Sequence, residues 1–591
     1  MPLSRFTRRF LMTKPSSRAL RLARQNWLGP IQCYYPDNLT PAWKNIPFAT
    51  RLIRQPLQIP LRPNIYQVAR RYADDILNDI ERLLPDFFQI GDWDFRFAFR
   101  FNLQFHIAYQ GLPLVYSMLQ EQSPPASALT LVDCHLTPDL VYRFAEDMGI
   151  GKPKYPLRSL STLHSERLMR KLSQWKSQAI SQEEETFSGG TLAVIPHSEH
   201  LELLKPILGV LKEQEPVRLL NIHSKLRLSE QQFDGMTVQH LSGLRLGPQL
   251  EIALHHFKKL RDEVQRLPAK QRHFCYTQID LLADLAEKFM SFEATIRRLQ
   301  PDTVIGCLEF NLHGAFLSML QKQSPGFRLM NLQHGIVAPT WTVDGLRFDD
   351  YFLWNKQTAK SLEQNGYPVG HRMHVIGNPK WEALADQVAS ETTSAEYDKL
   401  LAWKGDAPLI GAYTQCLQGY STVQIKKDYL LSLIGYLQYN PNAKLLIKRH
   451  PLETDDVVDT VVRASGCQDR IQVYESERLM HWEILKAVDI VTSVFSATLY
   501  ESLYLQKPTL ALDFDRVIET QQIPWPGECL TVTEPKSVNA ALDYWLTLEP
   551  DKWRFLTANQ FTSIVPRFNI PFALRFRQLA KIPTPLSASS N

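Results

Sequence analysis

From residue 191 onward, short apolar runs alternate with amphipathic segments. A continuous apolar run bounded by turn residues reads as a strand buried on both faces, and a 3.6-residue period reads as a helix covering it. On this basis strands are expected at 191–196, 217–222, 303–308, 327–332, 350–354 and 374–376. Helices are expected at 198–211, 248–267, 279–299, 312–322 and 358–365. A hydrophilic stretch, 386–406, reads as a crossing between two halves. The alternation then restarts with strands at 408–414, 444–447, 470–473, 489–492 and 509–512 and helices at 427–439, 455–465, 480–487 and 497–505, closing with helical 538–548 and 552–558. Such alternation predicts an α/β chain with two Rossmann-like, doubly wound domains, 189–385 and 386–591, facing a cleft. Residues 1–188 form an additional N-terminal mixed region, with helical periods at 66–84 and 137–148, a strand at 128–134 and a polar linker at 183–190.

Composition changes this picture little. At 591 residues more than one core is required. No apolar run approaches the roughly 18–20 residues of a membrane span. Seven scattered cysteines without a CxxC pair point to a reducing, cytoplasmic setting. Charge matters through its placement. Before Asp37 the chain carries Arg5, Arg8, Arg9, Lys14, Arg18, Arg21 and Arg24 and no acidic residue, whereas the whole chain has 66 basic against 61 acidic residues. With Phe6, Phe10 and Trp27 interleaved, this basic tail has three readings: contact with the inner face of an anionic membrane, a solvated or packed tail, or an organellar presequence. No second basic or aromatic stripe supports a nucleic-acid partner.

Candidate chemistry gathers at strand ends, where ligands bind in open α/β sheets. Lys448-Arg449-His450-Pro451 follows a buried strand, and its cations and imidazole suit a phosphate; the plainer alternative is a solvated surface cluster. Ser493, Ser496 and Thr498 bracket a strand-to-helix junction, where free N–H groups and the helix dipole favour an anion. Glu501, one turn on, can hold a ribose hydroxyl; capping by Ser496 alone is the plainer alternative. In the first half, His334-Gly335 ends a strand, Gly335 permitting a sharp turn or close backbone approach and His334 serving as a general base. Glu309, and His197 with Glu199, are further acid/base candidates at strand ends. Ile376-Gly377-Asn378-Pro379-Lys380 reads as turn chemistry. There is no GxxxxGK[ST], no GxGxxG after a strand, and no zinc-type ligand spacing, which removes P-loop and classical dinucleotide readings.

Gln333-His334-Gly335, Gly377-Asn378-Pro379, Ala412-Tyr413-Thr414-Gln415, Arg449-His450-Pro451 and the run from Ser493 through Glu501 to Lys507-Pro508 together resemble bacterial capsule and surface-polysaccharide glycosyltransferases of the GT-B type. More distantly they resemble polysialyltransferases, Kdo transferases and CDP-glycerol glycerophosphotransferases. The resemblance covers about 190–575. It implies a metal-independent transferase without cofactor, using a CMP-, CDP- or UDP-linked sugar donor held in the C-terminal domain by Lys448, Arg449, His450, Ser493, Ser496, Thr498 and Glu501. It puts His334, or Glu309, in the role of base toward a hydroxyl of a glycan or lipid-linked acceptor. The acidic-acidic-Gly motif of polysialyltransferases is absent, which argues against sialic acid as the sugar. The alternatives are a nucleotide-sugar 2-epimerase of the same fold and a non-catalytic module of a polysaccharide assembly complex.

Overall fold

A computed structural model describes residues 8–12, 31–36, 52–57, 65–107, 130–132, 159–179, 189–196, 198–222, 236–241, 244, 247–309, 311–323, 326–337, 347–364, 372–390, 393–415, 423–451, 453, 455–475, 479–520, 522–526 and 530–580. The helix expected at 137–148, the position of His197 and the side chain of Glu199 lie outside them. The chain divides into two units, one of residues 1–189, 240–301 and 310–326, the other of 190–239, 302–309 and 327–591.

The first unit holds a parallel sheet of β1 (Arg8–Met12), β2 (Ile31–Pro36), β3 (Leu52–Leu57) and β6 (Thr130–Val132) in the order β3-β2-β1-β6. Part of the basic stretch read as a tail is therefore a strand, paired on both sides. The same unit carries a two-stranded hairpin, β4 (Gln89–Ile90) with β5 (Trp93–Asp94), and the helix Ala269–Leu299. Phe289 on that helix packs edge-on against Trp93 and Phe95, with ring centroids 4.8 and 5.2 Å away. The helix begins ten residues before the period expected from 279, because Pro268 sits at its N-cap and stops it there. No described helix is long and apolar enough to cross a membrane.

The second unit contains both predicted sheets. The first is β7 (Thr191–Ile195), β8 (Val217–Asn221), β9 (Thr237–His240), β10 (Thr303–Gly306), β11 (Arg328–Leu332), β12 (Asp350–Leu353) and β13 (Arg372–Val375), in the order β13-β12-β11-β10-β7-β8-β9. The other is β14 (Leu409–Tyr413), β15 (Lys444–Lys448), β16 (Ile471–Tyr474), β17 (Ile490–Ser493), β18 (Thr509–Leu512) and β19 (Thr531–Val532), in the order β16-β15-β14-β17-β18-β19. The register pairs of both sheets are parallel. Strands β7, β12, β14, β17 and β18 are buried at every residue, which is why they read as mainly apolar runs rather than as alternation, and the polar Asp350, Thr492 and Ser493 among them are buried with hydrogen-bond partners. The α/β class with two doubly wound sheets is that expected from the sequence.

Two local readings change. The hydrophilic stretch 386–406 is helical for most of its length: Pro379–Ala389 continues into it, and Ala395–Lys404 is capped by Ser394, whose hydroxyl accepts from Tyr397 N, and ended by Gly405 at φ 55. Only Tyr397 and Leu400 of the latter helix are buried, so its sequence shows no apolar stripe. The last described helix, Phe572–Leu579, packs on Ser198–Lys212 of the first sheet's layer, with Phe572 and Phe576 in the same core as Ile207 and Leu211. Buried Arg575 fastens it. Its guanidinium donates to Ile376 O at 2.8 Å and Glu382 Oε1 at 2.6 Å and lies 4.0 Å above the Phe568 ring.

At the amino end of the first sheet, fully buried Asp350 gathers Arg328 Nε (2.6 Å), Arg372 Nη2 (2.9 Å) and His374 Nε2 (2.8 Å). Burial alone would raise this carboxyl, but the His374 hydrogen bond and the two arginine charges outweigh it and hold the pKa below the ordinary 3.8. A lowered folded-state value means the stabilisation is complete above the ordinary pKa and is lost as pH falls through the lowered one. Asp350→Asn should therefore cost about 2 kcal/mol at pH 7, and the gap from wild type should begin to narrow below about pH 4 and close only as pH falls through the lowered value. Urea unfolding across that range measures it; a gap independent of pH would contradict the assignment.

Candidate active site

Each sheet has one place where successive connections leave in opposite directions, and the crevice there is the expected ligand site. In the first sheet it lies between β7 and β10, and in the second between β14 and β17. The carboxyl ends flanking these points are Gly306–Glu309 in the first sheet and Tyr413–Thr414 with Ser493–Ser496 in the second.

At the first, Glu309 and His334 meet because β10 and β11 are adjacent and in register, Gly306 opposite Asn331. Glu309 is fully buried. Its Oε1 accepts from His334 N at 2.8 Å and lies 2.9 Å from His334 Nδ1, and its Oε2 accepts from Asn331 Nδ2 at 3.0 Å. Asn331 is itself oriented by Leu308 N, which donates to its Oδ1 at 2.7 Å. Burial would raise the Glu309 carboxyl, but the His334 charge and the hydrogen bonds of His334 and Asn331 hold it below its ordinary value. An ionised carboxylate facing Nδ1 makes that nitrogen the donor, which sets the neutral tautomer in which Nε2 carries the lone pair. The His334 side chain is 26 % exposed, and its ring lies 4.5 Å from that of buried His200. Gly335 departs from expectation. It is not in the left-handed region, and a Cβ there would meet nothing within 4 Å among the described residues beyond its chain neighbours.

In the second sheet the expected residues divide. Lys448 is buried, its Nζ donating to Glu475 O at 2.9 Å, and burial lowers its pKa. Arg449 pairs with Asp459. Both cations are thus engaged by the protein itself. His450 is half-buried, and its carbonyl accepts from Glu453 N at 2.9 Å in the turn that Pro451 begins. Ser493 is fully buried and donates to Tyr413 O at 2.9 Å. Ser496 is the N-cap of Ala497–Tyr504, accepting from Thr498 N at 3.3 Å. The three hydroxyls therefore do not converge: one ties β14 to β17 and one caps a helix.

Glu501 has a partner that no local sequence pattern marks. His481, at the start of His481–Ala487, places Nε2 2.7 Å from Glu501 Oε2. Burial pushes the Glu501 carboxyl up, but His481, Lys380 and a Thr498 hydrogen bond bring it below its usual value. Tyr413, between these groups at the end of β14, is 5 % exposed, and its hydroxyl has no hydrogen-bond partner among the described residues. Burial and the Glu501 charge raise its pKa well above the ordinary value. Lys507 bonds the backbone oxygens of Lys486 and Val488 and so holds the end of the His481 helix.

The Gly377-Asn378-Pro379-Lys380 turn lies between the halves. Gly377 has φ +82, Asn378 Oδ1 accepts from Lys380 N at 2.9 Å, and Pro379 occupies the first helical position. The Lys380 charge acts on both Cys307, two residues from Glu309, and Glu501. Nearby, Trp354 beyond β12 lies 5.4 Å from Trp381 and 6.2 Å from Tyr500, ring to ring, joining the two sheets' layers. Among the described residues no three His, Cys, Asp or Glu side chains group as metal ligands.

No protein-family model matches the chain, and no curated protein matches it. Solved structures of similar fold include a glycosyltransferase from Rickettsia africae, 12% identical, over 67% of this chain and 100% of that one, with a TM-score of 0.41. A UDP-GlcNAc 2-epimerase from Neisseria meningitidis bound to UDP-GlcNAc is 11% identical over 66% of this chain and 97% of that one, with a TM-score of 0.42. The wall teichoic acid polymerase TagF is 10% identical over 72% of this chain and 98% of that one, with a TM-score of 0.40.

Proposed function

We propose that the chain is a glycosyltransferase that moves a sugar from a nucleotide-linked donor to a hydroxyl of a glycan or lipid-linked acceptor of a surface polysaccharide. The observation that carries this reading is the buried Glu309 carboxylate holding a partly exposed His334 at a strand end. His334 Nε2 takes the proton of the acceptor hydroxyl, whose oxygen bonds to the anomeric carbon as the bond from that carbon to the donor phosphate oxygen breaks. The phosphate leaves with the electron pair. Fixed donors and charges aimed at that oxygen lower the barrier, and on this reading His450, Lys380 and the N-terminus of Ala497–Tyr504 supply them. Glu309, with both oxygens engaged and no exposure, acts through His334 rather than on substrate. The basic N-terminal residues outside the described segments remain, on this reading, a membrane-surface contact for a cytoplasmic enzyme.

The unpartnered Tyr413 hydroxyl supports a polar ligand at the second switch point, since a buried hydroxyl without a partner is costly until something bonds it. Tyr413→Phe should leave the free protein as stable as wild type or more so, while weakening nucleotide binding about tenfold, near 1.4 kcal/mol. Thermal stabilisation by CMP, CDP, UDP and GDP measures both quantities, with His450→Ala alongside. No stabilisation of wild type by any nucleotide at millimolar concentration would sink the transferase reading. Conversion of a donor sugar in the absence of acceptor would replace it with the epimerase.

A further inference from the structure

A cavity of about 930 Å3 opens in the second unit between the helix Lys356–Gln364 and the segment that follows β18. This is at the upper end of the volumes of small-molecule sites. One wall is a polar stripe at helical spacing, Gln357, Ser361 and Gln364. The facing wall presents the Trp525 indole, the Gln522 amide and the hydroxyls of Thr531 and Thr533.

The segment forming this wall is held in place. Buried Asp513 accepts from Val517 N and Ile518 N, each at 2.7 Å. Trp525 donates from Nε1 to Thr531 Oγ1 at 3.0 Å and meets the Tyr500 ring edge-on at 5.5 Å. Two residues of the wall, Arg516 at φ 52 and Gln522 at φ 53, sit in the left-handed region that side chains rarely adopt. Such strain persists where the surrounding structure imposes it, and it gathers at ligand sites.

The chemistry of the lining selects among ligands. Amides both donate and accept, and hydroxyls do the same, so they match vicinal hydroxyl groups. The Trp525 indole, its N–H already given to Thr531, offers a broad apolar face on which a sugar ring can lie. Charge is poor: Arg516 pairs with Glu519 at 3.3 Å at the rim, and Asp513 adds a second acid, so nothing here attracts a polyanion. We propose that this cavity binds a neutral, hydroxyl-rich glycan. It rests on the transferase reading only in taking that glycan to be the acceptor chain.

Saturation-transfer NMR on the full chain tests it with cellotetraose, maltotetraose, mannotetraose and chitotetraose, and with tetragalacturonate as the anionic comparison. At least one neutral tetrasaccharide should receive saturation and tetragalacturonate none. Gln357→Ala with Gln364→Ala, both exposed on their helix, should weaken that binding about tenfold without altering the fold. Trp525→Phe, which keeps an aromatic ring against Tyr500, should weaken it as well. Absence of transfer to every neutral glycan, unchanged affinity in both variants, or equal binding of tetragalacturonate would overturn the inference. Nucleotide stabilisation is read separately: glycan binding without it upholds the cavity and removes the acceptor assignment, whereas nucleotide binding without glycan binding removes the cavity.

Discussion

His334→Ala is expected to lower kcat for sugar transfer by about 10²–10⁴, the usual worth of a positioned general base, while the donor KM and nucleotide stabilisation stay near wild type. Glu309→Gln should come close to the same loss although Glu309 touches no substrate. The reason is donor arithmetic. Glu309 Oε1 receives two donors from His334 and Oε2 receives one from Asn331. An amide has one oxygen. If that oxygen faces His334, the amide NH2 meets Asn331 Nδ2, which cannot turn away without losing the Leu308 N bond to its own Oδ1. If the NH2 faces His334, it meets the His334 N–H and requires Nδ1 to accept, which moves the ring proton to Nε2 and removes the base. The comparable change in serine-protease triads costs about 10⁴ in kcat. Steady-state kinetics of both variants decide the point. A Glu309→Gln enzyme with unaltered kcat, or one whose defect lies only in KM, would show that the pair has no part in proton transfer.

The elements that carry this pair were legible from sequence; the pair itself was not. Strands such as Thr303–Gly306 and Arg328–Leu332 announce themselves because burial on both faces demands mainly apolar residues, buried Asn331 being a polar exception. That Glu309 reaches a histidine 25 positions away follows from which strands lie side by side, and local pattern holds no record of strand order. The same limit explains Lys448 and Arg449. As a string they are free cations for a phosphate, but in the fold a carbonyl from β16's end and a carboxylate from the next helix claim them. Ser493 and Ser496 were visible as hydroxyls at a strand-to-helix junction, whereas their partners, a carbonyl on β14 and an amide two residues on, separate structural from ligand-facing roles. His481 escaped notice since nothing near it in sequence pairs with it; its partner is Glu501, on the next helix. The helix Phe572–Leu579 was missed for a related reason, its two core phenylalanines being buried against a layer more than 350 residues earlier.

The largest effect on stability is expected at Lys426. Its side chain is 2% exposed, with Nζ 2.8 Å from Asp455 Oδ2 and 3.3 Å from Glu453 Oε2, and the Glu453 side chain is fully buried. Thr414 Oγ1 donates to Glu453 Oε2 at 2.6 Å, while Glu453 Oε1 has no hydrogen-bond partner among the described residues. Among the described residues Lys426 is the one cation bonded to Glu453 and Thr414 its one hydroxyl, so Lys426→Met strands a dry carboxylate and should cost about 3–5 kcal/mol. Adding Glu453→Gln to it should return part of that loss, because the burden is the stranded charge rather than the missing contact. The cluster also bears on function. Glu453 closes the turn after His450, and Thr414 follows Tyr413, so the end of β14 at the second switch point is tied through this carboxylate to the end of its other neighbour, β15. Lys426→Met should then lose nucleotide stabilisation beyond what its lower melting temperature explains, and the double variant should regain stability before it regains binding. Urea midpoints of the two variants beside nucleotide titrations measure both; a cost below about 1 kcal/mol would place the cluster with ordinary surface ion pairs.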